Sequence, residues 1–255
     1  MNTAPRPFAP LDPHSALTSS DASPADAATA PAPVGRILGV LVVRPLLILT
    51  LGLGLLAAER SLVLANALVV LVDVIALIIV GRAMRAEGRR LRDLFAPWRW
   101  VDLAWGALML VILVVGFLVA IFLANLIVYR GSLPMPPPAP DVPLWVGLVA
   151  VLIAPLTIAC AEEAVYRGYA QPRLGRRIGS LGALVVVAVV FGLQHVGFAL
   201  TSGPDVAAKV LTTLLAGLVL GGLWLWMRRL VPLVLAHWGL DLLLLGLPTL
   251  LLAVG

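Results

Sequence analysis

Long apolar runs separated by short, arginine-bearing polar stretches set the pattern of this chain. Apolar windows lie near residues 37–58, 61–81, 102–129, 144–172, 180–200, 206–227 and 230–254. A helix needs roughly 20 apolar residues to cross a hydrocarbon layer about 30 Å thick, and each window is long enough or nearly so. The pattern predicts an all-α fold, a polytopic transmembrane helical bundle of about seven spans. The polar stretches fix its orientation. Arg82, Arg85, Arg89, Arg90, Arg92 and Arg99 crowd one linker, which the positive-inside rule places in the cytoplasm. Arg173, Arg176, Arg177, Arg228 and Arg229 then return to that side, with the N-terminus inside and the C-terminus outside. The opposite loops hold Arg60 beside Glu59, Arg130, and Lys209 at a helix start.

Composition agrees: 61% of the 255 residues are hydrophobic and 12% charged, against about 45–50% and 25% in soluble domains. Lipid is thus the main solvent and the first partner. The net charge of +5 comes from arginines between apolar runs, so membrane topology explains it and nucleic acid does not. Cys160 is the single cysteine, which excludes an internal disulfide and a thiolate metal cluster; it reads as a packing residue. Residues 1–33, rich in Ala, Pro, Ser and Thr, read as a disordered cytoplasmic tail, followed by N-terminal transmembrane helices over 34–135 and a functional core over 144–255. Gly217 and Gly221 form a G-x-x-x-G, read as a close helix contact within the bundle. Arg44, Asp73 and Asn125 lie inside N-terminal spans with no motif to link them, and are expected to pair or snorkel.

The chemistry concentrates in the last spans. Glu162, Glu163, Arg167, His195, His237 and Asp241 all fall inside apolar runs, where each charge costs at least about 2.5–3.5 kcal/mol to insert. Glu163 and Arg167 are four apart and predict an intrahelical ion pair, with Glu162 aimed elsewhere and free of an obligatory cation. His237 and Asp241 share the same spacing, so the carboxylate either orients the ring or joins it in facing one small guest. Phe191 stands one turn before His195 and limits how its ring turns. At about 1.5 Å per residue, counting from the arginine boundaries puts Glu163 about 15 Å deep, His237 about 12 Å and Asp241 about 18 Å, a common level near the midplane that is expected to open to the cytoplasm. Glutamate and imidazole in such a place make a kit for hydrolysis: water held by Glu162 and His195 attacks a carbonyl, while His237 stabilises the oxyanion or binds metal.

The segments EEAVYRG (Glu162–Gly168), FGLQH (Phe191–His195) and HWGLD (His237–Asp241) resemble the motifs E-E-x-x-x-R, F-x-x-x-H and H-x-x-x-N/D of the CAAX prenyl protease and bacteriocin-processing family. These intramembrane peptidases are also called the CAAX amino-terminal protease or abortive-infection family. The resemblance covers roughly residues 144–245. It implies an intramembrane endopeptidase in which Glu162 and His195 activate water, His237 and Asp241 complete the site, and Glu163 with Arg167 supports it. Zinc is permitted at His195 and His237 and not required, and Asp241, where Asn is frequent, leaves the metal question open. The implied partner is a membrane-associated or prenylated-type peptide or protein substrate. The Arg-rich, Lys-poor composition points to a bacterial inner membrane.

Two other classes compete with this reading. Buried acids and histidines also serve ion- or proton-coupled transporters, but no internal repeat or symmetric pair of broken helices is visible. A catalytically silent scaffold or immunity protein would keep the fold, though it would have no need of three intact motifs.

Overall fold

The structure, a computed structural model, describes residues 32–132 and 140–255. The tail over residues 1–33 therefore lies, up to residue 31, outside the described residues, as does most of the proline-rich loop before Leu144. Every apolar window becomes helical. The helices are α1 (Val34–Ala57), α2 (Ala65–Arg85), α3 (Val101–Tyr129), α4 (Leu144–Leu152), α5 (Ala154–Glu162), α6 (Gln171–Leu193), α7 (Gly203–Met227), α8 (Leu230–Asp241) and α9 (Leu247–Val254). A π-helix, Glu163–Ala170, joins α5 to α6, and a second, Leu242–Gly246, joins α8 to α9. Short 3-10 turns precede α2 and α3, and a third, Gln194–Phe198, follows α6. Six helical runs are long and apolar enough to cross a membrane: Val34–Ala57, Leu62–Arg85, Val101–Tyr129, Ala154–Phe198, Gly203–Met227 and Leu230–Val254. The protein is a multi-pass, all-helical membrane protein.

Two departures from the plain window pattern have local causes. The window 144–172 breaks at Ile153, because Pro155 lacks an amide proton and its ring crowds the preceding turn. The 45-residue run Ala154–Phe198 turns back at Gly179, whose φ of 78° and ψ of 159° suit glycine alone. Caps end the other spans. Ser202 accepts a hydrogen bond from the Asp205 amide (3.2 Å) at the start of α7, which stops at Arg228 in the left-handed region.

Lipid-facing side chains such as Leu71, Phe122, Leu152 and Leu181 are exposed, and the polar residues turn inward. Ala32–Gly255 forms one compact unit. Gly217 and Gly221 lie against Ala188, Phe191, Leu184 and Gln171, so the G-x-x-x-G seats α7 on α6 within the bundle. A closer approach joins α1 to the turn after α6: a Cβ on Gly52 would stand 2.1 Å from the Gly197 carbonyl oxygen, and one on Gly197 would stand 2.3 Å from that of Ile48. Only two glycines allow these backbones to touch, and the contact brings α1 against the segment carrying His195.

Candidate active site

Glu162 ends α5 and Glu163 opens the π-helix, where the wider turn sets a run of side chains inward. Glu162, Glu163, Tyr166, Arg167 and Tyr169 are all buried. Single-turn π segments inside α-helices recur at functional sites, because the extra residue re-aims neighbouring side chains. His195 comes from the 3-10 turn after α6, His237 and Asp241 from α8, and Arg44 from the middle of α1. Glu162, His195, His237, Asp241 and Arg44 line one cavity of about 870 Å³ whose walls are otherwise largely apolar.

The largest difference from the sequence expectation concerns Glu162. It has a cation. The Nη1 of Arg44 donates to its Oε1 at 2.5 Å and to the Oε1 of Gln194 at 2.6 Å, while Nε and Nη2 bond the Oδ1 of Asp73 at 3.0 and 2.8 Å. Gln194 also donates from Nε2 to Glu162 Oε1 (3.1 Å) and accepts from the Tyr166 hydroxyl (2.7 Å). Thr157 donates to the other oxygen of Asp73 at 3.0 Å. Arg44 and Asp73 are 1% and 0% exposed, so the pair that the sequence left unlinked is a buried bridge from the N-terminal helices into the site. Glu162 Oε2, in contrast, is buried and makes no hydrogen bond among the described residues.

Glu163 and Arg167 form the pair their spacing predicts, at 3.2 Å, and Arg167 also donates to the Gly217 carbonyl (3.1 Å) and lies over the Phe191 ring at 4.6 Å. Glu163 has a second duty, accepting from His237 Nδ1 at 2.8 Å. That leaves His237 Nε2 facing two carboxylates, Glu162 Oε2 and Asp241 Oδ2, each at 3.6 Å. Of the alternatives for Asp241, this favours a shared guest, since such a separation is spanned by one water and Oδ2 too lacks a protein partner among the described residues. Phe191 restrains His195 through its backbone. His195 Nδ1 donates to the Phe191 carbonyl at 2.8 Å, which in the neutral ring leaves the Nε2 lone pair free, and the two rings are 5.3 Å apart between centroids.

Zinc does not fit this arrangement. Among the described residues no three His, Cys, Asp or Glu side chains are gathered to hold a metal ion. The Arg44 guanidinium already occupies the inner oxygen of Glu162, while both histidines bond through Nδ1 and keep Nε2 free.

Among the described residues the expected opening toward the arginine loops is also absent. The cavity runs instead to the other end of the bundle, past Lys209 to Arg60, Ser61, Tyr129, Pro140 and Thr201. Arg44, Asp73, Gln194, Tyr166 and Thr157 are the site residues that sequence reasoning missed. Arg44 and Asp73 carried a signal as ionisable groups within apolar spans, and Gln194 and Tyr166 sit inside the motifs; Thr157 carried none.

No curated protein and no solved structure matches the chain. A family model described as "Rce1-like: Type II CAAX prenyl endopeptidase Rce1-like" matches residues 140–243, a stretch holding Glu162, His195, His237 and Asp241 but neither Arg44 nor Asp73. Over those residues the chain is similar to the Rce1-like family of CAAX prenyl endopeptidases, proteases that hydrolyse peptide bonds.

Proposed function

We propose that this protein is an intramembrane endopeptidase that cuts a membrane-associated protein or peptide with water activated by Glu162 and His195. The observation that carries the proposal is the unequal treatment of the two Glu162 oxygens. Oε1 is saturated by Arg44 and Gln194, whereas Oε2 faces the cavity beside His237 and Asp241 with no protein donor among the described residues. A carboxylate held rigidly through one oxygen presents the other as a base of fixed direction.

In the proposed reaction, Glu162 Oε2 takes a proton from water while His195 Nε2 accepts the second hydrogen bond from the same molecule. A lone pair of the water oxygen forms the bond to the scissile carbonyl carbon, and the π pair of the C=O bond moves onto the carbonyl oxygen. His237, anchored through Nδ1 by Glu163, donates from Nε2 to that oxyanion when its ring carries both protons. The C–N bond then breaks, and Glu162 returns its proton to the leaving amine. Asp241 fixes the far side of the water site, and Arg167 acts at one remove by holding Glu163.

Glu162→Gln keeps the shape and removes the base. Cleavage of an accepted substrate by this variant, reconstituted in nanodiscs and followed by mass spectrometry, is expected to fall at least about 10²-fold, with the thermal transition retained. Wild-type turnover in that variant would remove Glu162 from the mechanism.

A further inference from the structure

The bundle has two chemically distinct ends. At one, Glu87 meets Arg173 and the Tyr169 hydroxyl (2.9 Å) with Arg36 at 4.0 Å, Arg177 donates to the Ala32 carbonyl (2.8 Å), and Arg229 bonds Asp102 (2.7 Å) and the Pro97 carbonyl (3.1 Å). The N-terminus of α1, the linker between α2 and α3, the first turns of α6 and the α7–α8 junction therefore share one face. It carries nearly all the loop arginines, and by the positive-inside rule it is cytoplasmic. At the other end the Tyr129 hydroxyl donates to Asp205 (2.6 Å), with Thr201 and Ser202 on the same carboxylate, and Asn66 donates to Thr249 (2.9 Å).

The cavity belongs to the second end. Its mouth is framed by Arg60, Ser61, Tyr129, Thr201 and Asp205, and among the described residues none of the lining comes from the arginine face. Between the site and that arginine face stand Val165, Tyr166, Arg167 and Tyr169 of the π-helix, each 0% exposed, so the cytoplasmic route is filled with packed side chains. The wall above the site is apolar, with Leu56, Phe117, Ile121, Phe198 and Leu244. Midway stands Lys209, the single lysine of the chain.

We infer that the cavity receives its substrate from the extracytoplasmic side of the membrane. The occupant is an extended polypeptide segment presented at that leaflet with apolar residues flanking the bond to be cut: a translocated or membrane-anchored chain rather than one delivered from the cytoplasm. This rests on the peptidase reading for what happens to the segment, but the side of access stands on charge and cavity geometry.

The test uses single cysteines in a Cys160→Ala background, Ser61→Cys at the mouth and Arg176→Cys at the arginine face, with a bulky membrane-impermeant maleimide on sealed right-side-out vesicles. Ser61→Cys is expected to label at once and, once labelled, to lose at least tenfold in cleavage of a substrate added outside; Arg176→Cys is expected to label only after detergent opens the vesicles. The reverse labelling pattern overturns the orientation. Labelling as expected with cleavage undiminished overturns the route. If the unmodified protein cuts nothing, the peptidase reading falls separately, because the labelling pattern reports the face on which the mouth lies whether or not a bond is broken.

Discussion

Replacing Arg44 separates two duties that one guanidinium performs. It neutralises Asp73 through Nε and Nη2, and it holds Glu162 and Gln194 through Nη1. Arg44→Gln leaves two buried carboxylates without their cation, and breaking a buried pair from one side costs about 3–5 kcal/mol. That variant alone is expected to lose stability and activity together, which decides nothing. Adding Asp73→Asn removes one of the two stranded charges and restores the net charge of the wild-type cluster, so most of the thermal stability is expected to return. Glu162 would then keep only the 3.1 Å bond from Gln194. Misplacing a reacting group by about 1 Å costs on the order of 10²-fold in rate, equivalent to about 2.7 kcal/mol of barrier. The double variant is therefore expected to show kcat down about 10²-fold with KM little changed. Arg44→Lys retains the charge but cannot fork to both acids, and is expected to recover folding with part of the rate. Thermal unfolding and steady-state cleavage on the same nanodisc preparations read both quantities. A double variant that folds and turns over at the wild-type kcat would show that Arg44 serves Asp73 alone, and the positioning argument would be wrong.

Two further outcomes follow from packing and from a surface acid. Gly197→Ala drives a methyl group into the Ile48 carbonyl, backbone against backbone. Overpacking of this kind costs about 1–3 kcal/mol or more, and both the thermal midpoint and activity are expected to drop, whereas an unchanged midpoint would mean the α1 contact is looser than drawn. Glu87, outside the spans, is pushed up by burial, but bonds from Arg173 and Tyr169 and the nearby arginine charge outweigh that and hold it below its ordinary 4.5. Its folded form thus binds a proton less readily than the unfolded chain, so its contribution is present above about pH 4.5 and lost as pH falls through the lowered folded value. Glu87→Gln is expected to lower the midpoint at neutral pH and flatten this acid-side loss; an unaltered acid limb in thermal scans would sink the assignment.

The helices were legible because lipid leaves a chain little choice: backbone groups must pair internally, so apolar windows become helices wherever they occur. Proline and glycine modified that rule locally. Pro155 broke the window that was read straight through from 144 to 172, and the signal was present in the sequence. The grouping of Glu162, His237 and Asp241 was legible for a similar reason, since spacing of four on a helix and similar depth from the arginine boundaries are properties of single helices, while His195 was drawn in by the form of its motif. What failed was any statement needing the partner of a residue far along the chain. Arg44 and Glu162 are 118 positions apart, and no local periodicity connects them, so Glu162 looked uncommitted once Glu163 had been given Arg167. The direction of the cavity failed likewise: depth could be counted from one boundary, but the filling of that route by Tyr166 and Tyr169 is a fact of packing between helices.

The N-terminal helices change meaning in this light. The matched family region ends short of them, yet α1 closes the site from the side, through a backbone contact at Gly52 and Gly197 and a side-chain contact two turns away at Arg44. Both contacts bear on residues adjacent in sequence to His195. Gln194, which Arg44 grips, directly precedes it, and Gly197, which Gly52 admits, comes two residues later. The turn carrying His195 is thus fixed at both ends by α1 while its ring is fixed by the Phe191 carbonyl. A site assembled only from the matched region would leave that turn held by α6 and α7 alone, and Glu162 with a single neutral donor. In a medium where an uncompensated charge costs several kcal/mol, the distribution of partners is therefore itself informative. The inner oxygen of Glu162 and one side each of Glu163 and Asp73 are committed to arginine, and the unpartnered carboxylate oxygens of Glu162 and Asp241 both face His237 in the cavity.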